Sequence, residues 1–457
     1  MRRRLFALAL SVLVSCSSDP RAIAIEVTLG HEDGAFGAAP PVTSVVVRAL
    51  AANDAIVAST TSEPGGTFDL GEFPLTELVT IEVEGRDALG ERRVHGRSLS
   101  LVLGELASDL LPVFAQRLGE FARPPSELER THFRGSTAVL GERYLLVTGG
   151  EGEEPARATF YDLVSLGPAS GGTLPRVAES LLPAASGAAV LVLGPKPDAP
   201  DGPRGATWLD FESGYVTDVN PPEGLASFDE VAGGAVVAGA NGVSYVVGAT
   251  RSSAPSSAVL VVAADRTLSV ARLVTERRAA AASWLAGPGL IVAGGSSAGA
   301  GVETLAPAGT AFATRPYPPD AVSGAAAVPT GNADEVLLVG GVDVGSPAAT
   351  RRLAANCTSK CEPTILEPGG LGLPLVRCSA YGVGPGSVLA VCEDAVTRES
   401  RVSRVKDGGV SVEDIPLREP RLGATPLPTP LGTLALLGGV APGSGAAVKT
   451  IELWAPP

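Results

Sequence analysis

The sequence predicts an all-β protein, and three observations carry that prediction. Glycine (56) and proline (38) recur throughout the 457 residues, where they punctuate strands and turns and interrupt long helices. Short apolar or β-branched runs stand between Gly, Pro, Asn and Asp, and few stretches show the three-and-four apolar spacing of a helix. One ending, an apolar run that stops on glycine, is written repeatedly: "YLLVTGG" (144–150), "LIVAGG" (290–295), "VLLVGG" (336–341) and "LALLGG" (434–439). Apolar residues make up 45% of the chain, enough for a large core, and the length suits two or three domains.

The N-terminus reads "MRRRLFALALSVLVSCSSDP". Three arginines precede an apolar stretch from Leu5 to Val14, the order of a signal segment. As a helix its ten residues would rise about 15 Å, half of a bilayer core of about 30 Å, so a spanning helix is disfavoured. The stretch ends "LVSC", Leu13 to Cys16, which resembles the lipobox of bacterial lipoproteins. That resemblance implies cleavage before Cys16, a diacylglycerol on its sulfur, residues 1–15 as signal peptide and 16–21 as a lipidated tether. More than one acyl chain is usual in such proteins, which makes the anchorage stable. Ser17, where an aspartate would retain a lipoprotein at the inner membrane, implies the outer membrane of the cell envelope.

Residues 22–108 hold six strand-like runs: "AIAIEVTL" (22–29), "TSVVVRAL" (43–50), "AIVASTTS" (55–62), "TFDLGEF" (67–73), "LVTIEVEG" (78–85) and "RSLSLVL" (97–103). Turn signals such as "EPGG" and "RDALGE" separate them, which fits a small β-sandwich. The stretch "VVVRALAANDAIVASTTSEPGGTFDL" resembles transthyretin-like regulatory domains, and an immunoglobulin-like sandwich fits it nearly as well. His31 and His95 stand alone there, so the expectation is a spacer rather than a binding module.

From 109 to the end the glycine ending sets a period. Its copies fall at 149, 194, 248, 294, 340, 392 and 438, the sixth being Cys392 instead of glycine, with spacings of 45, 54, 46, 46, 52 and 46. A near-constant period of 40–50 residues marks a propeller or similar array. Each copy is followed about eleven residues later by another short strand, from "ATFYDL" (158–163) to "TIELW" (450–454). Arginine often precedes the first strand of a unit: Arg134, Arg278, Arg377 and Arg421. A four-stranded unit cannot bury both faces alone, and radial stacking covers them. The best copy, "PRLGATPLPTPLGTLALLGGVAPGSGAAVKTIELWAPP" (420–457), resembles the kelch repeat, with most aromatic positions vacant and only Trp208, Trp284 and Trp454 present. The resemblance covers roughly 131 to the end and implies a kelch-like propeller, here of seven blades. The seventh copy ends at its third strand, so the segment 111–125 is expected to supply the fourth and close the ring.

Four cysteines lie between 357 and 392, and an exported chain meets an oxidising compartment. "VRCSAYGVGPGSVLAVC" reads as a hairpin centred on Pro385, which sets Cys378 opposite Cys392 and predicts a disulfide. Cys357 and Cys361, four apart, can form a second bridge if their Cα atoms approach within about 7 Å. The rival zinc site has no histidine near it in sequence.

The charge is −14, and the four lysines (Lys196, Lys360, Lys406, Lys449) are far apart; no basic stripe offers itself to nucleic acid. His132 is the single histidine of the propeller region, too few for the ligand set of copper-oxidase propellers or for a serine triad. No P-loop, zinc or EF-hand motif appears, nor the repeated Asp box of sialidases, and no cofactor is expected. Two carboxylates suffice for a glycosidase, and 49 acidic residues leave room for such a pair. The expected role is non-catalytic binding of a protein or polysaccharide by an envelope-anchored propeller. The alternative is a carbohydrate-active enzyme with paired carboxylates. Trp208, Trp284 and the recurrent arginines are expected to be structural.

Overall fold

The computed structural model describes residues 23–457 except 67, 69, 71–74, 153, 212, 249–253, 344–345, 367–374, 385 and 407–410. Cys16 and the expected signal segment and tether lie outside the described residues, as does part of the expected 67–73 strand.

Seven four-stranded sheets follow one another from residue 136 to the C-terminus. Blade 1 takes Ser136–Leu140, Tyr144–Thr148, Thr159–Asp162 and Gly167–Ala169. Blade 2 takes Ser180–Pro183, Ala189–Gly194, Gly205–Asp210 and Val216–Val219. Blade 3 takes Ala235–Ala238, Ser244–Val247, Ser256–Val262 and Leu268–Arg277. Blade 4 takes Ala281–Leu285, Gly289–Ala293, Val302–Leu305 and Ala313–Arg315. Blade 5 takes Ala326–Pro329, Glu335–Val339, Thr350–Ala354 and Thr364–Leu366, with a small extra hairpin of Val342–Asp343 and Ser346–Pro347. Blade 6 takes Leu375–Gly384, Ser387–Asp394, Ser400–Lys406 and Ser411–Asp414. Blade 7 takes Thr425–Pro428, Leu434–Leu437 and Glu452–Trp454, and its fourth strand is Phe121–Ala122 from before blade 1. The protein is an all-β, seven-bladed propeller.

The second strands explain the apolar runs. Leu145 and Val147 face Ala435 and Leu437 of blade 7, while Leu146 faces Val190 and Val192 of blade 2. A strand covered on both faces carries no polar alternation, so it reads as continuous hydrophobicity. The glycines that end these runs mark where blades meet. A Cβ on Gly149 would strike the carbonyl of Ala178 in the turn leading into blade 2, and one on Gly150 would strike the Phe133 carbonyl of its own blade. Both glycines also hold positive φ, 73° and 85°. The first glycine of the pair seats the next blade and the second seats its own. Gly149→Ala is therefore expected to lose about 2 kcal/mol or more, measured by urea denaturation. An unchanged midpoint would mean that the neighbouring blade gives way freely.

A buried brace recurs in blades 1, 2, 4 and 7. Four residues before the inner strand, His132, Arg176, Arg277 and Arg421 reach the carbonyls of Gly149, Gly194, Gly294 and Gly438 at 3.3, 3.4, 2.8 and 3.3 Å. Each also contacts the third strand: His132 Thr159, Arg176 Thr207, Arg277 Glu303 and Arg421 Glu452. In register, all four third-strand partners stand opposite the residue two before the glycine. Burial, the largest influence, lowers the pKa of His132, against a hydrogen bond with the Gly149 carbonyl that raises it. A folded-state pKa below the unfolded one means that the unfolded chain binds more protons. Stability from neutral His132 is then full above about pH 6.5 and lost as pH falls through the folded value. His132→Gln should flatten the stability profile between about pH 7 and 5, leaving a residue from His95, whose pKa burial also lowers. An unaltered slope would remove His132 from the account.

The N-terminal strands do not form two separate sheets. They join in one seven-stranded sheet, ordered Ala24–Thr28, Leu110–Arg117, Arg92–Arg97, Leu78–Arg86, Ser44–Ala51, Ile56–Ser62, with Leu101–Val102 also on Leu78–Arg86. The cause is Leu110–Arg117, which pairs in parallel with Ala24–Thr28 and antiparallel with Arg92–Arg97, bridging edges that a sandwich would keep apart. Val45, Val47, Ile81, Val83, Leu111 and Val113 line its core. The sheet therefore runs to Arg117 rather than ending by 108, and the 111–125 segment is divided between two tasks. Its first part belongs to this sheet, and Phe121–Ala122 is the part that completes blade 7. Between them the buried Arg117 donates to the carbonyls of Ala35, Ala38 and Ala39 at 3.0, 3.0 and 3.2 Å, and Leu118 bridges Ala455.

Candidate functional site

The inner strands of six blades are preceded, two residues before the paired stretch, by a residue with positive φ: Arg134 (58°), Gly233 (76°), Ala279 (47°), Gly324 (72°), Arg377 (51°) and Gly423 (63°). Small residues follow most of them, as in Gly135, Gly234, Ala280, Ala325 and Ala424. Backbone hydrogen bonds link neighbours around the axis: Arg134 N to Gly423 O at 2.8 Å and Gly324 N to Ala279 O at 2.9 Å. These turns ring the mouth of a cavity of about 770 Å³ at one end of the propeller axis. In that ring glycine is the natural choice, because a Cβ disfavours the left-handed region. Arg134 and Arg377 stand there despite that penalty.

Their side chains meet on one carboxylate. Arg134 donates through Nε and Nη2 to Glu393 and through Nη1 to Glu151 at 3.0 Å, with its guanidinium 4.7 Å from the Phe133 ring. Burial opposes the Arg134 charge, but Glu393 and Glu151 together raise its pKa. Arg377 lies 3.9 Å from Glu393 and its side chain is 60% exposed, against 13% for Arg134. Arg134 is thus a fixed post and Arg377 an open one.

The recurrent arginines expected from sequence separate by position. Arg134 and Arg377 take the left-handed place in the mouth, Arg278 falls one residue earlier and is exposed, and Arg421 is a buried brace. Arg176 and Arg277 were not anticipated, although a constant offset of 17 or 18 residues before the glycine would have pointed to them.

Glu151 and Glu393 are two carboxylates at one mouth, the arrangement the enzyme alternative requires. A glycosidase pair is separated by about 5–10 Å of space for sugar or water, and one member must deliver a proton. Here the Arg134 guanidinium fills the gap and takes both carboxylates as partners. Trp208 is 8% exposed in the core between blades 2 and 3, and Trp284 stacks on Tyr245 at 5.7 Å; neither offers a free platform.

Both cysteine pairs are bonded, Cys357 to Cys361 with Cα atoms 5.9 Å apart and Cys378 to Cys392 at 4.1 Å. The second pair lines the axial mouth beside Arg377 and spans the register shift after Val376. Sulfurs bonded to each other are not zinc ligands. Among the described residues no group of three or more His, Cys, Asp and Glu is placed to hold a metal ion.

No family model matches the chain, and no curated protein matches it. Among solved structures it is similar to "Dihydro-heme d1 dehydrogenase NirN in complex with DHE", at 12% identity over 90% of this chain and 78% of that one, with a TM-score of 0.43. A likeness of that size carries no argument about function.

Proposed function

We propose that the chain is a lipoprotein held in the bacterial cell envelope through Cys16, at the outer membrane, and that its kelch-like propeller binds a protein or polysaccharide partner at the axial mouth. The propeller fold supports a binding or scaffold role. The observation that favours the mouth is Arg377, an exposed arginine kept in a left-handed turn where blades 3, 4, 5 and 7 use Gly or Ala. Backbone strain of this kind collects at ligand sites. The lipid anchor rests on the "LVSC" resemblance, and the N-terminal sheet then serves as the spacer between membrane and propeller.

Two measurements test the reading. Cys16→Ser should move the protein from the detergent phase to the aqueous phase; continued partition into detergent would remove the lipid anchor. Photocrosslinkers placed in cells at Ser379, Thr425 and Glu151 should capture one dominant protein. Without adducts, saturable binding of envelope polysaccharide that Arg377→Ala abolishes would name the partner class. If neither appears, the mouth is not the binding site. Turnover of a glycoside that is lost in Glu393→Gln would establish the enzyme alternative instead.

A further inference from the structure

Arg351 breaks the pattern of braces. It occupies the third-strand position that Glu303 and Glu452 hold in blades 4 and 7, opposite Leu338, two before Gly340. Blade 5 is reversed: the acid, Asp320, is on the lead-in segment and the arginine is on the strand. Arg351 is 7% exposed and its Nη1 donates to Asp320 at 2.6 Å. Its Nε and Nη2 are buried and have no hydrogen-bond partner. By contrast, Arg277 and Arg421 each satisfy Nη2 twice. Among the described residues, Arg351 is the one arginine whose buried terminal amino group lacks a partner.

Nε–H and Nη2–H form one edge of a guanidinium, two parallel donors that match the two oxygens of a carboxylate or phosphate. Leaving both unpaired in a buried place is unfavourable, so the absence calls for an acceptor. Arg351 lines a cavity of about 370 Å³ between blades 4 and 5, within the size of small-ligand sites. The orphaned atoms are closed to solvent in this conformation, so a guest reaches them only if the guanidinium, held on Asp320 through Nη1, turns toward that cavity. Asp320 and Asp343 line the same cavity. Two carboxylates there disfavour a dianion such as phosphate and leave a monoanion as the better guest. Tyr317, Pro318, Val322 and Ile365 supply walls for a carbon body.

We infer that this cavity is a carboxylate-binding site: the Arg351 edge takes the carboxylate, and the apolar wall takes the rest of the molecule. The same chemistry is found in a free organic acid and in the C-terminus of a peptide. The inference depends on neither the lipid anchor nor the axial mouth.

Calorimetry on the full-length protein in detergent, with sodium butyrate as probe, tests it. One-to-one saturable binding is expected, absent for butyramide and weaker for inorganic phosphate. Arg351→Lys keeps the charge facing Asp320 but lacks the paired donors, and should weaken butyrate by about ten-fold or more. Ala349→Trp leaves Arg351 in place and fills the cavity, and should abolish binding. A tripeptide with a free C-terminus that binds more tightly than butyrate, and loses binding when amidated, identifies a peptide terminus as the source; butyrate binding more tightly than the tripeptide identifies a free acid. No saturable butyrate binding, equal binding by both variants, or phosphate binding more tightly than butyrate would overturn the inference.

Discussion

Arg277→Ala is expected to lower folding stability by about 3–5 kcal/mol, the scale for removing one partner of a buried ion pair. Arg277 and Glu303 are both fully buried, 3.0 Å apart. Arg277 also donates to the carbonyls of Gly294, Ala300 and Gly301, so the guanidinium ties the second strand to the third. Without it Glu303 keeps two backbone donors, Val274 N and Thr275 N, but no counter-charge. The size of the loss comes from that stranded carboxylate more than from the pair itself. The double variant Arg277→Met with Glu303→Met should therefore recover much of it. Urea denaturation of the two single variants and the double measures the coupling. A loss below about 1 kcal/mol for Arg277→Ala would show that water replaces the brace.

Phe121→Ala should be of similar size, about 3–5 kcal/mol for a buried phenylalanine. Phe121 is 1% exposed, packs with Trp454, Leu434 and Leu436 at the seam between blades 6 and 7, and pairs across the closing strand with Trp454. Only two residues make that strand, so its hold depends on the side chain more than on its few backbone bonds. Removing residues 1–122 altogether leaves Glu452–Trp454 as an unpaired edge, a template for association with another chain. Such a truncated chain should be oligomeric or aggregated by light scattering. A monomeric truncation with unchanged denaturation would mean that the ring does not need its seam.

The blade count was legible because its signal is local. A second strand buried on both faces must be apolar throughout, and Gly149, Gly294 and Gly438 are required where backbones of adjoining blades meet, while Gly340 makes room for the Cys378 sulfur of blade 6. The Cys378–Cys392 bridge was legible for the same reason, since a hairpin fixes which residues oppose. The braces were obscured by chemistry: His132 with Thr159 and Arg421 with Glu452 perform one task with different residue types. Arg134 and Arg421 both looked like a single repeating arginine, yet they differ by two places in the unit, enough to put one in the axial mouth and the other in the interior. The strand order of the N-terminal sheet was not legible because its decisive pairing, Ala24–Thr28 on Leu110–Phe114, joins segments more than eighty residues apart. No turn signal reports such a contact.

That parallel pairing has a mechanical consequence. The first described strand enters beside Leu110–Arg117, and the chain leaves that partner directly into the closing strand of blade 7. A pull on residue 23 from the N-terminal side loads the five pairs from Ala24–Leu110 to Thr28–Phe114 in shear, together and not one after another. The load then passes through Arg117 and Leu118 to the seam of the ring. If the proposed anchor holds the chain N-terminal to residue 23, drag on the propeller and tension from that anchor meet at Phe121–Ala122, and the two-residue strand that completes the circle is then also the place where the protein bears weight.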